Sequence, residues 1–384
     1  MKQKKMVLSS RILAIGTANP SCSVSQSDSC LNAQQFFQCD EKGKRILRML
    51  YKRTEIERRA LVVLEQKDCV IDRSFFSPPQ SLSDRGPTTA ARMGLYNAEI
   101  APLATAACLS ALNLAQVDHG EITHLVTASC TGFAAPGFDL ALIKALPLRP
   151  STERTHIGFM GCHGALNALR VADAFCRADP QATVLVCAAE LCSVHMQYEW
   201  SAQRLVANAL FADGAAAVVV RASGGADLSS VDQQVSSPTR WPQAKPQYLS
   251  SQSVVIDSSS GAMSWEIGDN GFVMTLAAEV PALIEKHLPA FIEKWLDQSD
   301  LSVGDIKSWA VHPGGPRILQ GVQDCLKLDN EMLSASRTIL ARQGNMSSPT
   351  VLFILQSLLA QSDKLPCVML GFGPGLTVEA TLIG

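Results

Sequence analysis

The chain has almost no net charge of either sign. Its 33 lysines and arginines stand against 35 aspartates and glutamates, a formal −2. A protein held to nucleic acid or an anionic membrane by charge needs a basic excess, and none is present. No uninterrupted apolar run reaches the roughly 18–20 residues of a membrane span. Paired metal-binding cysteines are missing too. The twelve cysteines are scattered, none as Cys-x-x-Cys, and the closest two are Cys187 and Cys192. That spacing excludes the usual zinc motifs. The N-terminal Met1-Lys2-Gln3-Lys4-Lys5 is basic, but Ser9, Ser10 and Arg11 break the apolar run after it, unlike an export signal. A cytoplasmic location with reduced thiols and no metal is expected.

What is present is a globular chain of 384 residues, 47% hydrophobic and 18% charged. It is long enough for one compound domain or two similar halves. Strand-like and helix-like runs alternate throughout, so the fold class is α/β with a largely buried sheet. In the first half, strands are predicted at residues 12–16, 124–129, 155–158, 183–189 and 215–220. Helices are predicted at 33–51, 89–97, 101–115 and 165–177, with a short one through Leu210 and Phe211. Residues 21–29 and 69–88 read as loops. The stretch 222–247, rich in Gly, Ser, Pro and Gln, reads as a connection between halves 1–222 and 223–384. In the second half the alternation recurs: strands at 253–257, 309–312, 367–371 and 377–383, helices at 280–295, 317–327 and 349–360. A duplicated unit would place its active site where the halves meet.

One cysteine has a suggestive address. Gly161-Cys162-His163-Gly164 lies between a strand and a helix, where the helix start favours a thiolate. The bland alternative is a buried structural cysteine. His312, in Val311-His312-Pro313-Gly314-Gly315, ends a strand and could take a proton. Asn345, in Gly344-Asn345-Met346-Ser347-Ser348, could donate to an oxyanion or simply cap a helix. Arg45, Arg48 and Lys52 share one helix face, either solvated or a cradle for a polyphosphate. Spacing alone leaves these choices open.

Six stretches, in order along the chain, decide more. The opening Ile12-Leu13-Ala14-Ile15-Gly16-Thr17-Ala18-Asn19-Pro20 resembles that of chalcone-synthase-like enzymes, the type III polyketide synthases. So do Gly161-Cys162, Ala209-Leu210-Phe211-Ala212-Asp213-Gly214, His312-Pro313-Gly314-Gly315-Pro316, Gly344-Asn345-Met346-Ser347-Ser348 and Gly371-Phe372-Gly373-Pro374-Gly375-Leu376-Thr377-Val378-Glu379. The resemblance implies a thiolase-like fold of duplicated αβαβα layers, a homodimer, and the triad Cys162, His312 and Asn345. It implies Phe211 as gatekeeper before a buried cavity, and coenzyme A phosphates on Arg45, Arg48 and Lys52. It further implies an acyltransferase that condenses malonyl-coenzyme A onto an acyl-coenzyme A starter, with no other cofactor. His312 would pair with the thiolate as an imidazolium. By alignment the cavity includes Thr131, Glu190, Cys192, His195, Trp265, Met274, Ser347, Gly373 and Pro374.

Several of these depart from the plant chalcone-forming pattern. Cys192 and His195 replace threonines, Trp265 a glycine, Met274 a phenylalanine and Ala135 a methionine. Small Cys192 and Ala135 with a bulky Trp265 suggest a cavity redrawn for a long aliphatic starter. That resembles bacterial and fungal alkylresorcinol and alkylpyrone synthases, with resorcinol closure the first expectation. Rival readings are a pyrone or chalcone-type product, an initiating β-ketoacyl-carrier-protein synthase, a papain-like hydrolase and an inactive scaffold.

Overall fold

The computed structural model describes residues 9–67, 70–72, 75–81, 83–223 and 245–384. Its centre is set by strands whose both faces are apolar. All nine residues of Thr183–Leu191 are buried, and so are the first eight of Asp213–Ser223. Alternate side chains point to opposite faces of a strand. Val184, Val186 and Ala188 accordingly join one core, while Leu185, Cys187 and Ala189 join another.

Nine strands form one sheet. From one edge they run Glu153–Gly158, His124–Ser129, Thr183–Leu191, Asp213–Ser223, Ser9–Ala18, Gln247–Val255, Thr377–Ile383, Cys367–Gly373 and Ser308–Val311. His124–Ser129 is parallel to Thr183–Leu191, which is antiparallel to Asp213–Ser223, itself antiparallel to Ser9–Ala18. The other half repeats this pattern. Ser308–Val311 is parallel to Cys367–Gly373, then Thr377–Ile383 and Gln247–Val255 follow antiparallel. Ser9–Ala18 and Gln247–Val255 meet antiparallel at the junction.

Helices Gly164–Ala178 and Thr350–Leu359 share one core with strands from both halves, so they form a middle layer. Thr89–Ala115 covers the far face of the first-half strands. Val280–Asp297 and Pro316–Leu326 cover the far face of the second-half strands. The result is the expected αβαβα layering.

Several local expectations change. The single predicted helix 33–51 is two, Gln26–Phe36 and Glu41–Arg53. The Asp40 carboxylate accepts from the Gly43 N–H and starts the second helix, so the break is a built cap. The expected loop 21–29 therefore already contains a helix start, capped by Ser25 accepting from Asp28 N–H. The helices predicted at 89–97 and 101–115 are one 27-residue helix that passes through Pro102. By length and composition this helix could cross a membrane, yet Tyr96, Ile100, Ala104, Ala107, Cys108 and Ala111 are buried in the core beneath it. A hairpin of Met263–Gly268 and Gly271–Leu276, and the helix Ser334–Gln343, are additional elements. Most of the predicted connection 222–247 lies outside the described residues, as do positions 69, 73, 74 and 82 of the predicted loop.

Candidate active site

Cys162 stands in the turn between strand Glu153–Gly158 and helix Gly164–Ala178. Gly161 makes the turn possible. Its φ of +81° suits glycine, and a Cβ there would lie 2.3 Å from the Pro374 ring. The second half reaches the same spot from two directions. The Ser347 hydroxyl donates to Cys162 Sγ at 3.6 Å, and the Ser347 N–H donates to Asn345 Oδ1 at 2.8 Å. Asn345 is fixed by its backbone, which exchanges hydrogen bonds with Leu210 and Ala212 on either side of Phe211. Its side-chain amide N–H groups are left without a partner among the described residues. His312 follows strand Ser308–Val311, and its N–H donates to the Leu370 carbonyl at 2.8 Å.

Burial works against charge at the reacting centre. It pushes the Cys162 thiol up to about 12, with Glu190 adding to the rise and the Ser347 hydroxyl opposing it. His312 is 1% exposed, and burial with nearby His163 drives it down to about 3. Neither His312 ring nitrogen has a hydrogen-bond partner, so it makes no resting bond to Cys162. Burial thus opposes charge on each group taken singly, and a thiolate–imidazolium pair would have to offset both costs. The pull of the helix start does not outweigh desolvation here.

An inner chamber of about 50 Å³ opens at Cys162. Cys130, Thr131, Ser347 and Pro374 line it, with Cys192, Phe211, Trp265 and Met274 on the far side. Those four residues also bound an outer chamber of about 130 Å³. Phe36, Phe37, Leu61, Leu64, Phe76 and Phe272 make the outer chamber apolar, while Tyr51, Arg59 and Asn208 add polar groups. Trp265 and Met274 face each other across the hairpin. The Trp265 indole N–H donates to the Cys130 carbonyl at 2.7 Å, which fixes the wall. Trp265 thus sits in a strand as a partition.

The remaining expected residues are placed as follows. Glu190 is fully buried beneath the inner chamber, not on its surface. It accepts from the N–H groups of Cys130 and Thr131 and the hydroxyls of Thr131 and Ser348. Burial nonetheless lifts its carboxyl to about 7. His195 lines the outer chamber only. Its Nε2–H donates to the Thr131 carbonyl at 2.7 Å, its Nδ1 accepts from the Phe272 N–H at 2.9 Å, and its ring stacks on Phe272 at 4.1 Å. It is a fixed wall without a free nitrogen. Gly373 makes room for His163, since a Cβ there would lie 2.3 Å from that ring. Arg45, Arg48 and Lys52 lie exposed on Glu41–Arg53, and none forms an ion pair among the described residues. This helix packs on Ala202–Leu210, the helix that ends at Phe211.

Sequence reasoning missed Cys130, Arg59 and His163. Cys130 Sγ accepts from the Gly161 N–H at 2.9 Å and shares the inner chamber with Cys162. Arg59 is buried and donates from Nη1 to the carbonyls of Asn208 (2.8 Å) and Phe211 (2.6 Å). It holds the backbone at Phe211 from behind. A basic Arg58-Arg59 pair gave no hint that one of the two turns inward. Among the described residues no group of three or more His, Cys, Asp and Glu side chains could hold a metal.

Comparison with known proteins agrees with this architecture. Residues 2–224 match the family described as chalcone and stilbene synthases, N-terminal domain, and residues 247–384 match its C-terminal domain. The chain is 32% identical over 375 residues to a Mycobacterium tuberculosis protein named "Alpha-pyrone synthesis polyketide synthase-like Pks18", covering 97% of this chain and 90% of that one. It is 30% identical over 380 residues to a Bacillus subtilis "Putative chalcone synthase", covering 97% of each. The crystal structure of PKS-I from the brown alga Ectocarpus siliculosus superposes with a TM-score of 0.85 at 26% identity, covering 99% of both chains. With both halves matched, and with the duplicated layers around Cys162, the chain belongs to the chalcone and stilbene synthase family of type III polyketide synthases and is an acyltransferase.

Proposed function

We propose that this enzyme extends a fatty acyl starter with malonyl-coenzyme A units and closes the product to an alkylresorcinol. The observation that carries the starter is the apolar outer chamber, which meets the chamber at Cys162 across Cys192, Phe211, Trp265 and Met274. An aliphatic tail fits such a lining better than a polar or charged starter.

In this reading His312 takes the proton of Cys162 as sulfur attacks the starter thioester. Coenzyme A leaves as a thiol, carrying that proton away. Malonyl-coenzyme A then loses carbon dioxide, and the electron pair of the broken C–C bond forms an enolate. N–H groups of His312 and Asn345 donate to its oxygen, and the enolate carbon attacks the acyl–sulfur carbonyl. Losing one donor of this kind costs about 2.7–4 kcal/mol at comparable sites. The unpartnered N–H groups of Asn345 support that role. Phe211 gates the path, and Arg45, Arg48 and Lys52 take the coenzyme A phosphates. Residues 1–222 supply the nucleophile and residues 223–384 the histidine and asparagine. The working unit is a homodimer in the cytoplasm, with coenzyme A thioesters as its only small-molecule partners.

A second reading is a pyrone product, favoured by the name of the M. tuberculosis relative. Incubation with malonyl-coenzyme A and starters from acetyl to long-chain and aromatic, with products identified by mass, decides between them. A resorcinol from a long-chain starter supports the first reading, and exclusive pyrone overturns it. Malonyl-coenzyme A decarboxylation should survive Cys162→Ala and be lost in His312→Ala. No decarboxylation by the unaltered protein overturns the catalytic roles.

A further inference from the structure

A fatty tail that passes the partition must end in the outer chamber, and the wall it meets there sets how long it can be. Phe36, Phe37 and Phe76 line the outer chamber but not the inner one, so they lie beyond the residues the two chambers share. Phe36 and Phe37 are placed by the end of helix Gln26–Phe36. Phe76 is carried by the loop at residues 75–81, yet it is only 8% exposed. We propose that Phe76 is a specificity-determining residue that limits the length of the starter, its ring held in the chamber wall by Arg92.

Arg92 is the reason to single out this ring. It stands in the first turn of Thr89–Ala115, where the helix dipole disfavours a cation. It is 0% exposed and forms no ion pair among the described residues. A buried charge ordinarily pairs with a carboxylate. Here three carbonyls and a ring take that place. Nε donates to the Pro87 carbonyl at 2.9 Å, and Nη1 to those of Val194 at 2.7 Å and Met196 at 2.9 Å. Nη2 has no hydrogen-bond partner. The guanidinium carbon lies over the Phe76 ring, 5.1 Å from its centre. That is within reach of cation–π attraction, which strengthens where water is excluded. Burial lowers the guanidinium to about 10, so it keeps its charge at neutral pH.

The same side chain meets the other walls. Val194 and Met196 flank His195, and both His195 and Met196 line the outer chamber. A Cβ on Gly271 would lie 3.0 Å from Arg92 Cδ, and the next residue, Phe272, lines the chamber too. The Tyr198 hydroxyl donates to the Ser77 carbonyl at 2.7 Å and ties the loop down one residue past Phe76. Arg92 therefore joins the loop, the segment 194–196 and the hairpin. Phe76 is the part of this wall that no helix or strand fixes. The bland alternative, an arginine that only ties carbonyls together, predicts no effect of Phe76 on the starter.

This inference rests on the reading of a fatty acyl starter, and its test isolates loading. In that half-reaction the Cys162 sulfur bonds to the acyl carbon and the bond from that carbon to the coenzyme A sulfur breaks. Coenzyme A leaves as the thiol with the cysteine proton. Full-length protein is mixed with pairs of acyl-coenzyme A starters from hexanoyl to icosanoyl, without malonyl-coenzyme A, and the acyl group on Cys162 is read by mass. One methylene more or less in an apolar pocket changes selectivity by roughly tenfold or more. Phe76→Ala should shift the preferred starter to a longer chain, raising its loading over the parent's preferred chain about tenfold. Phe76→Trp should shift the preference to a shorter chain by a similar factor. Damage to the fold alone slows every starter together and cannot move the two variants in opposite directions. Arg92→Met, which frees the ring, should flatten the parent's preference. If it does not fold, the two Phe76 variants decide alone. An unshifted preference in both folded Phe76 variants overturns the inference, whereas a parent protein that loads no fatty starter overturns the fatty acyl reading instead.

Discussion

Glu190→Gln should turn a pH-sensitive protein into a less sensitive one. Burial raises the Glu190 carboxyl from its usual 4.5 to about 7. The folded protein therefore keeps this proton up to about pH 7, while the unfolded chain releases it near 4.5. Where the folded state binds more protons, stability falls as pH rises. The stabilisation is complete below pH 4.5 and is lost by about pH 7. A difference of about 2.5 units corresponds to about 3 kcal/mol. For a chain of 384 residues that is a shift of about 4 °C in melting temperature. Glutamine is nearly isosteric. Its carbonyl can accept from the N–H groups of Cys130 and Thr131, and its amide can donate to the Ser348 hydroxyl. Buried Asp213, raised to about 6, titrates in the same window, but it is common to both proteins and cancels in the difference. The melting temperature of the variant minus that of the parent should rise by about 4 °C between pH 4.5 and pH 8. A difference constant with pH would refute the assignment of a buried, high-pKa carboxyl at this position.

Two further perturbations address the partition and the proposed gate at Phe211. Trp265→Gly removes the wall between the chambers and the indole bond to the Cys130 carbonyl. It should shift the product ratio from resorcinol towards pyrone, because an unconfined chain lactonises more easily. An unchanged ratio by mass spectrometry would sink the idea that this wall folds the chain. Arg59→Met strips two carbonyls, those of Asn208 and Phe211, of their donor. A loss of about 1–3 kcal/mol in stability is expected from denaturant melts, together with a raised KM for malonyl-coenzyme A as Phe211 loosens. A normal KM would show that Arg59 only supports the fold.

Some features were legible because one local signal suffices for them. Strands such as 183–189 and 377–383 are runs of apolar residues bounded by turns, and they fold where periodicity places them. The six family-like stretches gave the family, and with it the proposal of Cys162, His312 and Asn345, because chemistry ties residue type to neighbours in sequence. Other features were opaque for the same reason. The break at Asp40 was hidden in a continuous helical pattern, since one capping carboxylate outweighs it. Trp265 could be named from alignment, but its role as a partition depends on its partner Met274 across the hairpin.

By itself, then, the sequence determined the α/β class, the duplicated alternation of elements and the family, and it proposed Cys162, His312 and Asn345 for the reacting centre. Only the tertiary structure decided their state. The favourable pull of a helix start on Cys162 is a local property, and sequence shows it. Desolvation is a property of everything packed around a group, and it sets the thiol near 12, His312 near 3 and Glu190 near 7. Which polar neighbours offset that cost, with Asn167 and Glu379 behind His163 and Arg59 behind Phe211, follows from contacts between residues up to 212 positions apart in the chain.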